Sequence, residues 1–347
     1  MFPRTLYTSL IALASLAVAT AANPSLSLKV SGPATVDGVN NLKVVTTVTN
    51  TGAEAVKVLN DPNGPLSRLP TNTFSITDAS GTTPAFSGVK AKYVPQTAIA
   101  NNAFTVIAPG QSVDVEHNLS EAYNFTTSGA GTYDIHANNL FYVVGDDSTI
   151  QTVHADSATS HSAQISGPLA VARSTVEKRA TYNGCSSSQQ SSLVSAASAA
   201  QSYAASAYSY ANSHTSSTAR FTTWFGTYTT AHHTTITSHY QKISGNSFSS
   251  FKYDCTCTDS GTYAYVYPDT FGTIYLCGAF WSAPTTGTDS KGGTLIHESS
   301  HFTANGGTQD YVYGQSAAKN LASTNSGQAV MNADNHEYFA ENNPAQS

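Results

Sequence analysis

The residues best suited to chemistry lie in the pentapeptide from His297 to His301. Residues four positions apart share one face of an α-helix, so His297 and His301 can bind one metal ion together. Glu298 follows the first histidine and can reach a water molecule bound to that metal. Two imidazoles and a carboxylate base are the groups that hydrolyse peptide bonds with zinc. The pattern predicts a zinc peptidase; the alternative is a solvated helix with two histidines.

A catalytic zinc ion takes three protein ligands, so a third must lie elsewhere in the chain. One known pattern places a histidine six residues after the second one, but that position is Gly307. Glu337 or Glu341, from a later helix, could serve instead. Asp310 is the remaining candidate, since it lies in a glycine-bounded loop that can fold back on the helix. The spacing alone leaves these candidates open.

Composition excludes one class of function. Only 10% of the 347 residues are charged, and the net charge is −6. The few lysines and arginines are scattered, so no basic patch is available to bind phosphates. We therefore expect no nucleic-acid partner. The length is sufficient for two domains with separate cores.

The first 22 residues have the pattern of a secretory signal peptide. Arg4 precedes an apolar run over 6–18, and small residues at Ala19 and Ala21 form a cleavage signal. The run is too short to span a bilayer, and no later stretch reaches that length. We expect a secreted, extracellular protein without a membrane partner.

The four cysteines all lie in the second half of the chain, and export permits disulfides. Cys255 and Cys257 alternate along a predicted strand and lack the geometry to pair with each other. Cys185 should therefore pair with one of them and Cys277 with the other, in either combination. A Cys-x-Cys zinc site lacks a second ligand pair at a suitable spacing.

Residues 23–160 alternate between apolar and polar side chains in short runs, for example over 25–30 and 42–49. Turn signals separate these runs, which predicts a β-sandwich-like unit. Asn118 and Asn124 each begin a glycosylation sequon, and in an exported chain we expect at least one to be occupied.

A dibasic pair, Lys178 and Arg179, marks the boundary after the strand-rich region. We interpret it as a processing site rather than a solvated linker pair, because the cysteines and the metal motif all follow it. The predicted organisation is a signal peptide (1–22), a strand-rich pro-region (23–179) and a catalytic domain (180–347).

The second half has mostly helical periodicity. Two short strands at 263–267 and 273–277 could form a β-hairpin. The helix that carries the histidines should end near 305–307, where Asn, Gly and Gly follow one another. The other predicted helices span 186–214, 220–240, 315–321 and 329–340. The overall expectation is an α+β protein with a mostly helical, zincin-type catalytic domain and a small sheet.

The loop after the second histidine carries a family resemblance. Its residues Gly307, Thr308, Asp310, Tyr313 and Gly314 resemble those of the deuterolysin-like metalloproteases, the aspzincins, whose third zinc ligand is an aspartate. The likeness is closer still to the fungal peptidyl-Lys metalloendopeptidases. It extends over nearly all of the second half, including the segments 181–185, 222–226, 254–257, 276–281 and 331–338.

The resemblance implies one zinc ion per chain, bound by His297, His301 and Asp310, with Glu298 as the general base. It also implies that Tyr313 donates a hydrogen bond to the oxyanion of the reaction, whereas packing in the core is the usual role of a tyrosine in so tyrosine-rich a chain.

The same resemblance implies the disulfides Cys185–Cys255 and Cys257–Cys277. It also implies that the first half is a pro-region, which can assist folding and cover the cleft until it is removed.

Asp334 and Glu337 are three residues apart and share a helix face. They could be solvated acids, but the region 181–347 has only nine acidic residues beside five basic ones. The resemblance puts both in the pocket for the residue after the scissile bond, where they would bind a lysine ammonium. Cleavage is then expected on the amino side of lysine.

Two alternative functions remain. One is a deuterolysin-like protease of broad specificity, and the other is an exported binding protein without catalysis. The expected partners are lysine-containing proteins or peptides and the chain's own pro-region, and the expected oligomeric state is a monomer.

Overall fold

The structure is a computed structural model that describes residues 24–145, 147–171 and 182–346. The predicted signal peptide, Lys178, Arg179 and the predicted start of the catalytic domain lie outside these residues. Helices and strands are mixed in the described chain, which confirms the α+β expectation. Within the described ranges, no helix is both long enough and apolar enough to cross a membrane.

The N-terminal part, residues 24–171, consists mainly of strands. They are β1 (Leu26–Ser31), β2 (Thr35–Asp37), β3 (Lys43–Asn50), β4 (Val56–Leu59), β5 (Phe74–Asp78), β6 (Ala85–Phe86), β7 (Lys90–Tyr93), β8 (Phe104–Ile107), β9 (Ser112–Asn118), β10 (Tyr123–Asn124), β11 (Gly131–Ala137), β12 (Leu140–Val144), β13 (Ile150–His154), β14 (Ser157–Thr159) and β15 (His161–Ser166). One short helix, α1 (Pro95–Ala100), follows β7.

These strands form sheets with the orders β14-β1-β3-β9, β2-β15-β11-β5 and β13-β12-β4-β8, and a small β10-β6 pair. Strand β3 buries every second residue, as a strand with one face on a core must. Val30 and Val44 of the first sheet share an apolar cluster with Ile76, Ile135 and Ile165 of the second. Side chains from two sheets therefore form one core.

The C-terminal part, residues 182–346, is mostly helical. Its helices are α2 (Ser187–Ser213), α3 (Ala219–Phe225), α4 (Thr230–Ser244), α5 (Gly278–Ser282), α6 (Lys291–His301), α7 (Gln315–Thr324), α8 (Ser326–Ala329) and α9 (Ala333–Glu341). Its strands are β16 (Tyr182–Asn183), β17 (Lys252–Asp254), β18 (Thr262–Val266) and β19 (Thr273–Leu276). The predicted hairpin is present as the antiparallel pair of β18 and β19.

Helix α6 lies at the centre of this part, and every one of its residues is buried. Small residues on its neighbours allow close packing: Ala196, Ala200 and Ala204 of α2 are fully buried. Helix α6 meets α9 at Gly293, where an added Cβ would lie 2.0 Å from a carboxylate oxygen of Glu341 and would displace that side chain. The helix with the two histidines is thus enclosed by other helices.

The prediction of one helix over 220–240 is wrong. The chain forms α3 and α4 instead, and Gly226 ends the first of them with a φ of 72°. A side chain there would also collide with the backbone, since an added Cβ would lie 2.0 Å from the carbonyl oxygen of Ala322. Close packing against α7 therefore ends the helix at a point where the apolar periodicity alone would continue it.

Two other helix predictions need correction. Helix α6 ends at His301 rather than near 305–307, and the following amides turn back onto the carbonyl of Phe302. The predicted helix over 329–340 is divided into α8 and α9. Asn332 lies at the break, where its side chain accepts hydrogen bonds from the backbone of Tyr311 and Val312.

The second half also contains a sheet with the order β16-β17-β19-β18-β7. Its last strand, β7, comes from the N-terminal part and pairs antiparallel with β18. The two parts of the chain therefore share one sheet.

Candidate active site

Helix α6 places the two histidines of the pentapeptide side by side, one turn apart. The imidazoles of His297 and His301 are fully buried, and their ring centroids are 4.9 Å apart. Asp310 comes from the loop after the helix, and its Oδ1 lies 3.2 Å from the Nε2 atom of each histidine. Of the three candidates for the third ligand, the structure brings Asp310 to this point.

These three atoms have the properties of metal ligands. They are buried and make no hydrogen bond, although such buried polar atoms normally have partners. Ligands of a tetrahedral zinc ion, with bonds of ~2.0–2.2 Å, are separated by roughly 3.3–3.6 Å. The observed separations of 3.2 Å from Asp310 to His297 and His301 are close to that value. The residues present therefore fit zinc.

Each imidazole is oriented by a contact of its other nitrogen. His301 Nδ1 lies 2.9 Å from the carbonyl oxygen of Thr308, and His297 Nδ1 lies 2.8 Å from Asp334 Oδ1. An acceptor on Nδ1 favours the tautomer that leaves Nε2 free for a metal. Both rings are therefore prepared to bind through Nε2.

The loop that carries Asp310 is attached to the helical core at several points. The Ser300 and Thr308 hydroxyls lie 2.6 Å apart, which fastens the loop to α6. Asn332 accepts a hydrogen bond of 2.8 Å from the amide of Tyr311. The loop's position thus depends on the break between α8 and α9, where Asn332 lies.

Glu298 is fully buried next to the two histidines. Its Oε1 accepts a hydrogen bond of 3.1 Å from the backbone amide of Lys92, and its Oε2 has no hydrogen-bond partner. Burial raises the pKa of Glu298 to about 8, which makes it a stronger base than a carboxylate in water. This carboxylate is therefore suited to exchange a proton with a reacting group.

An acidic pocket adjoins the histidines and contains the side chain of Lys92, which is fully buried. Lys92 Nζ lies 2.5 Å from Glu337 Oε2, 3.2 Å from Asp289 Oδ1 and 3.9 Å from Asp334 Oδ1. Burial lowers the pKa of Lys92, but the three carboxylates outweigh it and raise the pKa well above its usual value. The pocket therefore holds a charged ammonium group.

His297, Asp334 and Glu337 also lie close enough together to suggest a second metal site. The ammonium of Lys92, however, already lies between the two carboxylates. The group is better described as a cation pocket whose occupant is a lysine.

Asp289 is a further member of this pocket that no sequence pattern predicted. Asp289 lies in the turn before α6, has a positive φ of 51°, and accepts a hydrogen bond of 2.6 Å from the Tyr338 hydroxyl. The rings of Tyr263 and Tyr338 lie 5.1 and 5.6 Å from Lys92 Nζ and contribute cation–π contacts. No spacing or motif signals these residues, because they come from separate elements.

Glu341, one of the candidates for the third ligand, binds the turn before α6 instead. It accepts hydrogen bonds of 2.8 Å from both the amide and the hydroxyl of Ser290, the residue before α6. It also accepts one of 3.2 Å from the amide of Asp289. Glu341 therefore positions the turn that brings Asp289 to the pocket.

Tyr313 lies at the contact between the two parts of the chain. Its hydroxyl accepts a hydrogen bond of 2.9 Å from the side-chain amide of Asn63, and its ring packs edge-on against Tyr93. Both partners belong to the N-terminal part. The tyrosine is thus packed against that part in this structure.

The other predicted residues are placed as follows. Disulfides join Cys185 to Cys255 and Cys257 to Cys277, the pairing that the resemblance implied. Of the sequon residues, Asn118 ends β9 and Asn124 ends β10. Both side chains are half-buried.

Comparison with known proteins gives a consistent set of relatives. A family model described as lysine-specific metallo-endopeptidase, of the M35 aspzincins, matches residues 210–341. The chain is 62% identical to the peptidyl-Lys metalloendopeptidase of Grifola frondosa, over 97% of this chain and 99% of the relative. It is 56% identical to the enzyme of the same name from Armillaria mellea, over 95% of each. A solved zinc peptidase from Grifola frondosa is 66% identical over 47% of this chain and 100% of its own, with a TM-score of 0.47.

Proposed function

Because this chain belongs to the peptidyl-Lys metalloendopeptidase family, we propose that it is a zinc endopeptidase that hydrolyses peptide bonds on the amino side of lysine. One observation carries the proposal. A lysine side chain fills the acidic pocket while the amide nitrogen of the same residue, Lys92, lies 3.1 Å from Glu298. This is the arrangement that cleavage before lysine requires of a substrate.

His297, His301 and Asp310 are proposed to hold one zinc ion per chain. In such a site zinc acts as a Lewis acid, which polarises a carbonyl group and acidifies water. The support is the set of three buried atoms without hydrogen-bond partners, together with the contacts that orient both imidazoles.

Glu298 is proposed to take a proton from the attacking water and to deliver it to the leaving nitrogen. The water's oxygen bonds to the carbonyl carbon of the residue before lysine, and the bond to the lysine nitrogen breaks. The contact from Glu298 to the amide of Lys92 supports the second of these transfers. Tyr313 is proposed to donate a hydrogen bond from its hydroxyl to the developing oxyanion, once the N-terminal part that contacts this hydroxyl through Asn63 has left.

Asp334 and Glu337, together with Asp289, are proposed to select lysine. A buried ammonium is costly unless carboxylates surround it, so the pocket favours lysine over neutral side chains. A deuterolysin-like protease of broad specificity would not need this group of acids. Family membership also disfavours the alternative of a non-catalytic binding protein.

We also propose that the chain matures by proteolytic removal of its N-terminal part. Residues 23–179 would form a β-sandwich-like pro-region, removed after cleavage at Lys178–Arg179, and 180–347 a monomeric catalytic domain of the zincin type. Export through the signal peptide is supported by its sequence pattern and by the two disulfides, which persist in oxidising compartments. Glycosylation at Asn118 or Asn124 would follow from export.

The test is digestion of one lysine-containing protein by the processed enzyme, with peptides identified by mass spectrometry. New peptides should begin with lysine, digestion should stop with a zinc chelator, and metal analysis should find about one zinc per chain. Peptides that begin with assorted residues would favour the broad-specificity alternative.

Glu298→Gln is the matched variant for catalysis. It should keep the zinc and lose nearly all turnover, because the three proposed ligands remain while the base is removed. Asp269→Asn, which changes an exposed acid, should behave as the parent does. Cleavage by Glu298→Gln at the parent rate would rule out the proposed mechanism.

A further inference from the structure

Strand β7 extends the sheet of the catalytic part although it belongs to the N-terminal part. It pairs antiparallel with β18, with Lys92 opposite Ala264 and Ala91 opposite Tyr265. No described strand pairs with the other side of β7. If the chain were cut at the dibasic pair and the N-terminal part left, the edge of β18 would become free to pair with another extended peptide.

The backbone of β7 contacts the proposed catalytic groups. The amide of Lys92 donates to Glu298 at 3.1 Å, and the amide of Ala91 donates to Asp310 Oδ2 at 3.3 Å. A third contact comes from Asn63, whose side chain binds the hydroxyl of Tyr313. The proposed base, one proposed ligand and the proposed oxyanion donor are therefore all in contact with the N-terminal part.

The side chain of Lys92 makes the fourth contact between the N-terminal part and the site. Its ammonium lies among the acids of the pocket, at 2.5 Å from Glu337 and 3.2 Å from Asp289. In an enzyme that cuts before lysine, this pocket must receive the residue after the scissile bond. The peptide bond from Ala91 to Lys92 then occupies the position of that bond.

We propose, on the basis of the function proposed above, that Lys90–Tyr93 is a built-in substrate mimic which inhibits the uncut chain by placing Lys92 in the lysine pocket. The segment blocks the cleft at the sheet edge, at the catalytic groups and in the pocket at once. Because it is tethered, its effective concentration is on the order of millimolar, well above that of most substrates. Cutting the tether lets the segment dissociate and opens the site.

The first test uses the full chain made resistant to processing by Lys178→Ala and Arg179→Ala. This chain should hydrolyse a short fluorogenic lysine peptide poorly, and adding Lys92→Ala should raise its activity at least about thirty-fold, since losing one partner of a buried ion pair weakens an interface by that much or more. Lys43→Ala is the control, because Lys43 lies in β3 and its ammonium forms an exposed ion pair with Glu116 at 3.2 Å. Equal activity of the Lys92→Ala chain and its parent would refute the proposal.

A second measurement does not depend on activity. The parent chain is cut at the dibasic pair in solution, and dissociation of the two fragments is followed by size-exclusion chromatography. Lys92→Ala should weaken their association at least about thirty-fold, and Lys43→Ala should leave it nearly unchanged. Equal weakening by both variants would show that the pocket contact has no special role and would overturn the proposal. If the processed parent failed to cut lysine peptides, the function would be wrong, while this measurement would still report on Lys92.

A third measurement avoids the risk that Lys92→Ala fails to fold. A synthetic peptide of residues 89–96, with Lys90 replaced by alanine so that Lys92 is its one lysine, is added to the processed parent enzyme, beside the same peptide with Lys92 also replaced by alanine. The lysine peptide should compete with substrate or be cut between Ala91 and Lys92, and the alanine peptide should do neither. Equal behaviour of the two peptides, or a cut at another bond, would contradict the proposed register.

Discussion

Asp334 Oδ1 lies 2.8 Å from His297 Nδ1 and 3.9 Å from the ammonium nitrogen of Lys92. One carboxylate thus contacts both the imidazole of the proposed metal site and the cation in the lysine pocket. Glu337 is nearer to the ammonium, at 2.5 Å, and farther from His297, at 3.4 Å. The two acids therefore share the pocket but differ in their relation to the metal site.

This difference predicts distinct effects of Asp334→Asn and Glu337→Gln. Asp334→Asn should lower zinc affinity by about 10–100-fold, because it weakens the contact that orients His297. Glu337→Gln should mainly reduce kcat/KM for lysine peptides relative to norleucine peptides. Zinc affinity is measured by competition with a chelator. Equal zinc affinities for the two variants would contradict the orienting role of Asp334.

Asp289 should contribute to lysine recognition although no sequence motif marks it. Asp289→Asn removes one charge-assisted contact with the ammonium and should lower kcat/KM for lysine peptides by about tenfold, with little change in kcat. The estimate is at the low end for such contacts because a quarter of the Asp289 side chain (25%) is exposed. Asp269→Asn serves as the control, and a loss in kcat alone would assign Asp289 a different role.

Tyr313→Phe should separate catalysis from packing. If the hydroxyl donates to the oxyanion, the processed enzyme should lose about 10²–10³-fold in kcat with little change in KM. The ring that packs against Tyr93 remains, and the uncut chain loses one hydrogen bond from Asn63, so its thermal unfolding midpoint should fall only slightly. A lower midpoint with unchanged kcat would instead assign the hydroxyl to structure.

Asp61 should make the stability of the uncut chain depend on pH. Burial raises the pKa of this carboxyl from 3.8 to about 6, so the folded chain holds a proton that the unfolded chain loses between these values. Stability should therefore fall as pH rises from about 4 to 6 and stay lower above that range. Asp61→Asn should remove the loss and stabilise the chain at pH 8 by about 1–2 kcal/mol, a figure reduced because the residue is half-buried.

The measurement is urea unfolding of the parent and the Asp61→Asn variant at pH 4 and pH 8. Asp78→Asn provides a control of opposite sign, because the hydroxyl of Ser80 and nearby groups hold the pKa of Asp78 below its usual value. The Asp78 contribution is present above that usual value and is lost as pH falls. A stabilisation by Asp61→Asn that is equal at both pH values would exclude titration of Asp61 as its cause.

Local spacing predicted only part of the centre of the site: it paired His297 with His301 and left Asp310 as one of three candidates for the third ligand. The four-residue interval from His297 to His301 corresponds to one helical turn, and the glycine-bounded loop allows Asp310 to return to the helix. Helix lengths were less predictable. The breaks near Gly226 and at Asn332 depend on partners in other elements, which periodicity along one segment does not reveal.

What the sequence by itself determined is the metal motif, the family resemblance and the strand-rich and helical character of the two halves, because each depends on residues close together in the chain or on local periodicity. What only the tertiary structure decided is which residue enters the lysine pocket and which acids surround it. Lys92 and Asp289 are separated by 197 residues, yet their charged atoms lie 3.2 Å apart. Such a contact arises from the packing of β7 against β18. A buried ammonium is stable only when carboxylates pair with it, but those carboxylates can come from distant segments, so no local sequence pattern reveals them.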